Sequence, residues 1–163
     1  LYPQVRNGYH IRVKEELGNS RTVTNCYGRV RKFFGRWGED LFTDAYSQGP
    51  QSTVADKMND LLARLYEDEE GVFAQLELLN QVHDSIWFQL PLSLGPAGIA
   101  EVLLEIRKIM EEPIPLPNNP FVIPADFVMG YNFSKKAMID IDTTEESVGL
   151  GLEKLEEDRS KNA

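Results

Sequence analysis

Apolar positions recur along this chain with two different periods. Val5, Tyr9, Val13 and Leu17 fall every four residues, close to the helical repeat, and predict a helix over 3–17 that Gly18-Asn19-Ser20 stops. In RTVTNCYGRVRKFF the character changes. Thr22-Val23-Thr24 favours a strand, Asn25 to Gly28 a turn, and Val30, Phe33 and Phe34 a return strand. Helical spacing resumes over 37–48 through Trp37, Leu41, Phe42 and Ala45, and Gly49-Pro50 is expected to break that helix. A new helix, capped by Ser52 or Thr53, then carries the stripe Val54, Met58, Leu61, Leu62 and Leu65 until the acids at 67–70 and Gly71 end it.

Period two follows. Leu76, Leu78 and Val82 alternate, then Ile86, Phe88 and Leu90, which predicts two strands ended by Pro91. Residues 97–112 read as an amphipathic helix through Ile99, Val102, Leu103, Ile106 and Met110. Pro113, Pro115, Pro117 and Pro120 hold an irregular loop, and FVIPADFVMGYNF is a last strand. The order predicts an α+β fold, with a mainly antiparallel sheet and flanking helices over 1–136. From Ala137 onward there are eight acids, three bases and few aromatics, so 137–163 is expected to be a flexible acidic tail, with one helix at 151–159.

Between the two alternating runs stands Gln81-Val82-His83-Asp84-Ser85. As a turn, the segment needs no chemistry, because Asp and Ser are good turn residues. His83 has an equally plain reading as a partly buried histidine bonded to backbone. The sharper reading is that a carboxylate at a hairpin tip is held rigidly and suits a hard divalent cation such as magnesium.

Bulk properties narrow the field. The 163 residues suffice for one domain with a real core, and the 42% hydrophobic and 26% charged fractions are those of an ordinary globular protein. No apolar run approaches the roughly 18–20 residues of a membrane span, no signal-peptide pattern opens the chain, and no membrane partner is expected. The single cysteine, Cys26, excludes an internal disulfide and fits a reducing, cytoplasmic compartment, with a small buried side chain as its plain role. The chain opens on Leu1 without an initiator Met, so a fragment, a processed product or part of something longer is expected. Net charge is −9, but it is polarised: residues 1–36 carry +6 and residues 37–163 carry −15. The basic head could meet a phosphate backbone while the body stays repulsive to it.

QVHDSIWFQLP resembles the third polymerase motif of family A DNA polymerases, the DNA polymerase I-like group, where Gln-Val-His-Asp-Glu precedes an apolar strand. PQSTVADKMNDLL, some thirty residues earlier, resembles that family's Gln-Gly-Thr-Ala-Ala-Asp helix. TNCYGRVRKFF resembles its Gly-Arg hairpin, LYPQV its Tyr-Pro segment after the fingers helix, and MGYNF its closing Gly-x-Asn-Trp. The matches run in the family's order over residues 1–134, and the Gln-Ser-Thr and His-Asp-Ser variants have a phage-type look. The resemblance implies the C-terminal part of a polymerase palm, in the host cell cytoplasm if phage-encoded.

It also implies roles. Asp84 would be one of two catalytic carboxylates holding two Mg2+ ions, which activate a primer 3′-hydroxyl and steady the leaving pyrophosphate of a dNTP. His83 would lie near the primer terminus. Gln51 would reach the minor groove of the DNA primer-template, where every base pair offers an acceptor, and Gln81 would contribute from the neighbouring strand. Arg29, Arg31 and Lys32 would bind phosphate.

Three departures stand out. The family's Glu after the catalytic Asp is Ser85 here, an anomaly at the metal site. The Arg and Asn that the family carries before Gln-Gly-Thr fall on Thr43 and Ser47, so neither role transfers. The third is absence: no Asp-Tyr-Ser carboxylate, fingers helix or exonuclease region is found, and DAYSQ at 44–48 has an extra Ala and sits in the wrong helix. One carboxylate cannot organise two ions, so the resemblance implies a complementary N-terminal polymerase portion, held through apolar faces such as Leu76/Leu78. A split polymerase or cleaved product is favoured, because the match begins just after the fingers. A non-catalytic DNA-binding or scaffold module descended from a polymerase is the alternative, with an unrelated α+β interaction domain as the plainest reading. The acidic tail is either a solvated end or a docking tail for a basic replisome partner, such as a helicase or processivity factor. Ile139-Asp140-Ile141-Asp142 imitates a metal pair, but nothing nearby would shape a site.

Overall fold

Helix α1 (His10–Ser20) buries Val13 and Leu17, as the four-residue repeat requires, and is entered through a π-helical turn, Val5–Tyr9. It ends one residue past the Gly-Asn-Ser stop, on Arg21, whose backbone takes the left-handed conformation (φ 59°) while its N–H donates to Leu17 O. This computed structural model describes residues 2–116, 120–134 and 137–161, so Pro117 of the expected loop lies outside the described residues.

The remaining elements, in order, are β1 (Thr22–Thr24), β2 (Val30–Lys32), α2 (Glu39–Glu67), β3 (Glu77–Val82), β4 (Ser85–Gln89), α3 (Gly95–Met110), β5 (Phe127–Met129), β6 (Ile139–Ile141) and α4 (Glu145–Lys161). The fold is α+β. Its strands do not join one sheet, however. Among the described residues they form three separate antiparallel ladders, β1–β2, β3–β4 and β5–β6. No helix among the described residues is long and apolar enough to cross a membrane.

The chain divides into two compact units. One holds Leu1–Asn59 with Ile114–Phe121, and the other Asp60–Pro113 with Val122–Ala163. In the first, Val13, Leu17, Val23, Phe33, Leu41 and Ala45 make the core, closed by the half-buried Tyr9, Phe42 and Tyr46. In the second, Leu61, Leu65, Phe73, Val102 and Ile106 form one cluster and Ile99, Ala100, Leu103 and Val148 another.

Gly49-Pro50 does not break the helix: α2 runs through it without a stop. Proline has no N–H, so the carbonyl four residues back, on Tyr46, loses its helical donor. Tyr9 Oη supplies one, donating to Tyr46 O at 2.8 Å. Burial raises the Tyr9 pKa above its ordinary 10.0, so the hydroxyl keeps its proton at neutral pH. Gly49 makes this possible, because a Cβ there would lie 2.5 Å from Tyr9 Oη. Ser52 and Thr53 cap nothing; their hydroxyls donate back to Gln48 O at 2.5 Å and Gly49 O at 2.7 Å. Tyr9→Phe is therefore expected to cost about 1 kcal/mol in urea unfolding, the price of one orphaned carbonyl. An unchanged midpoint would mean that Pro50 is accommodated without that donor.

The segment expected to be a flexible tail is folded up to Lys161. Ile139–Ile141 pairs with Phe127–Met129, and α4 buries Val148 and Leu155. Gly151 lets α4 approach the ladder closely: a Cβ there would stand 2.7 Å from Met129 Sδ and 3.0 Å from Ile141 Cγ2. Asp142 at the ladder's end accepts from Arg107 Nη1 at 2.5 Å, and this bond holds its carboxyl below the usual range. The Asp140/Asp142 pair is thus an exposed strand position and an ion pair to α3.

Candidate functional site

The β3–β4 hairpin closes on His83 and Asp84, a two-residue turn. His83 takes φ 55°, the positive φ that primed two-residue turns need at their first central position. Ser85 Oγ donates to Val82 O at 2.8 Å and ties the turn shut. Ser85 is thus engaged in shaping the turn. Gln81, His83, Asp84 and Ser85 are all exposed. Asp84 projects from a fixed tip, as a metal-binding carboxylate would need.

The ladder is not regular up to that tip. Leu78 pairs with Phe88 and Asn80 with Trp87, so Leu79 is an extra residue, a bulge. Opposed residues in a ladder share a face, and the bulge reverses the alternation beyond it. Leu78 lies on the Ile86/Phe88 face, which packs into the second unit's core with Leu76. Gln81 pairs with Ile86 and so shares that face at the exposed end of the hairpin, whereas Val82 turns to the opposite side and stays 43% exposed. Leu76 and Leu78, expected to be unpaired faces for a missing portion, are instead covered by this chain's own apolar residues. The hairpin's other face carries Trp87, which meets Phe133 edge-on at 4.8 Å between ring centroids.

The remaining sequence-predicted residues lie in the other unit. Arg29, Arg31 and Lys32 follow the turn of the β1–β2 hairpin, and Gln51 is exposed on α2. Arg29 is engaged within the chain. Its Nε donates to Asp56 Oδ1 at 2.6 Å and its Nη2 donates to the same oxygen. Asn25 organises the other side. Its Nδ2 donates to Asp56 Oδ2 (2.7 Å) and to Ser52 Oγ (3.0 Å), and its Oδ1 accepts from the N–H groups of Tyr27 and Arg29. Arg31 Nη1 reaches Gln48 Oε1 at 3.4 Å and its guanidinium lies over the Phe33 ring. Lys32 has its ammonium over the Phe34 ring and makes no ion pair among the described residues.

Asn25 and Asp56 are the residues that the sequence reading did not single out. Asp56 was visible as the Asp of the QSTVAD segment, and Asn25 as the opening residue of the hairpin turn. Nothing in the sequence said that they meet. Bonding to Arg29, with lesser help from Asn25, lowers the Asp56 carboxyl below its usual 3.8. A depressed acid stabilises the fold above its unfolded pKa and loses that contribution as pH falls through the folded value. The urea midpoint of Asp56→Asn is therefore expected to lag the unaltered chain at pH 7 and to converge on it below about pH 4. A gap that stays constant with pH would remove the charge from the explanation.

Do these side chains fit two magnesium ions? Among the described residues no three His, Cys, Asp or Glu side chains gather into a cation site. Asp84 offers one exposed carboxylate, and Ser85 is committed to the turn. The residues present do not form a two-metal centre by themselves. No protein-family model, no curated protein and no solved structure matches the chain.

Proposed function

We propose that this chain is the C-terminal palm portion of a family A, phage-type DNA polymerase. It contributes Asp84 as one metal-binding carboxylate to nucleotidyl transfer from dNTPs to a primer 3′-hydroxyl. The remaining polymerase portion, in another chain or in the rest of its own, supplies the other carboxylate and the fingers, and the metal site is complete only with it. The observation that carries the reading is the hairpin tip: a two-residue turn, shaped by His83 and Ser85, holds Asp84 out from a strand pair whose other end is anchored in a core. The positive φ at His83 is the one a two-residue turn of this kind requires, so it fixes the direction of the tip without itself marking chemistry. A second support is the Arg29–Asp56 pair, which joins the two sequence segments that resemble the Gly-Arg hairpin and the Gln-Gly-Thr helix. In this reading His83 sits beside the primer terminus, Gln51 and Gln81 touch the duplex, and Arg31 and Lys32 bind phosphate.

One observation favours a second reading. Among the described residues no three ligating side chains gather into a cation site, which suits a DNA-binding or scaffold module derived from a polymerase. Primer extension by the two portions together, with Asp84 intact and replaced, separates the two. Extension that survives Asp84→Ala, with DNA binding retained, assigns the chain to the second reading.

A further inference from the structure

We infer that the β1–β2 hairpin and the turn leading into α2 form a stacking surface for single-stranded nucleic acid, with Phe34 and Trp37 as base platforms. The inference concerns unpaired bases rather than duplex, and it does not rest on the role of Asp84.

Phe34 is 82% exposed and Trp37 54% exposed, three residues apart and directly after a strand. Just past β2, Phe33 turns into the core while Phe34 turns outward, and nothing in the core requires a phenylalanine at the outward position. A polar residue there would leave the core untouched, and Phe34 and Trp37 together add exposed aromatic surface to a run of cations. Both rings already carry cations. The Arg21 guanidinium lies 4.4 Å from the Trp37 centroid, and Lys32 Nζ lies 5.5 Å from that of Phe34. Arg21 is held there at some strain, on a left-handed backbone, with Nη2 donating to Gly35 O at 3.1 Å.

The charge around the rings selects the partner. Residues 21–38 contain five Lys/Arg and no acid. A shallow concavity of about 500 Å³ beside Phe34 is lined by Arg31, Lys32, Arg36 and Leu41, with Asp40 and Asp44 on its α2 side. Arg29 is held by Asp56 and Arg21 lies on the Trp37 ring, which leaves Lys32 on Phe34, with Arg31 and Arg36 lining the same concavity, to meet a phosphate backbone. Aromatic faces interleaved with cations are how proteins hold a single strand without reading its sequence: bases stack on the rings and phosphates meet the charges. A duplex hides its base faces, and an acidic peptide offers no flat ring to stack.

The test is anisotropy of a labelled oligothymidylate of about 12 nucleotides, a length within a typical single-strand site, with the full chain and no added metal. A strand of equal length without bases presents the same phosphates. The chain is expected to bind the thymidylate strand more tightly than the abasic one. Phe34→Ala, which touches no core, is expected to weaken thymidylate binding by about tenfold and leave the abasic strand unaffected. Equal affinity for the two strands, or thymidylate binding indifferent to Phe34→Ala, overturns the inference. Polyglutamate that displaces the label as well as unlabelled thymidylate overturns it too, and makes the face a site for acidic peptides.

Discussion

Replacing Asp84 by alanine is expected, under the proposed function, to lower primer extension by this chain together with the remaining polymerase portion by about a thousandfold or more. A metal-binding carboxylate contributes several kcal/mol to stabilising the transition state, and about 4 kcal/mol corresponds to that factor. The fold should not notice. Asp84 is exposed at a hairpin tip whose shape comes from the backbone of His83 and from the Ser85 hydroxyl donating to Val82 O. DNA binding and the urea midpoint should therefore match those of the unaltered chain. Asp84→Cys gives a sharper readout. It should be inactive with magnesium and regain extension with manganese or cadmium, because a thiolate is a softer ligand that binds those ions better. Extension unchanged by Asp84→Ala removes the catalytic role.

Val148→Asp is expected to have the largest effect on stability. Val148 is fully buried among Ile99, Ala100 and Leu103. An unpaired carboxylate there has no cation to meet and loses its water, so the cost is about 4 kcal/mol or more. That is a large part of the 5–15 kcal/mol that holds a typical domain together. Leu150→Asp on the same helix is the control: Leu150 is 60% exposed, so its replacement should stay within about 0.5 kcal/mol. Equal urea midpoints for the two variants would mean that α4 does not dock.

Local pattern carried much of the fold. Alternation around Gln81-Val82-His83-Asp84-Ser85 located both strands and the turn, and the stripe from Ile99 to Met110 located α3. What escaped depends on partners distant in sequence or on a single residue. Pro50 signalled a break because its missing N–H is local, whereas the hydroxyl that compensates comes from Tyr9. The Leu79 bulge moved Val82 off the face its spacing predicted, and one inserted residue leaves no mark in an alternation count. In the tail, the helix expected at 151–159 falls within α4, but the strand before it and the buried face were missed, because composition weighs charges and ignores position. Ile139, Ile141, Val148, Leu152 and Leu155 are few, but they fall where a strand and then a helix need them. At the site, the sequence offered Asp84 and Arg29 as residue types. It did not show that Asp56 meets Arg29 and Asn25, because those bonds span 27 and 31 residues.

The central proposal is that this chain supplies one carboxylate of a two-metal polymerase site completed by residues outside it. Primer extension on a labelled primer-template tests it most directly. The chain is mixed with dNTPs, magnesium and a polypeptide that carries an Asp-Tyr-Ser carboxylate and a fingers helix, such as one encoded beside it. The account predicts stepwise nucleotide addition by the pair and none by either component alone. Extension by this chain alone, or none by the pair while the two bind each other and DNA, would contradict it.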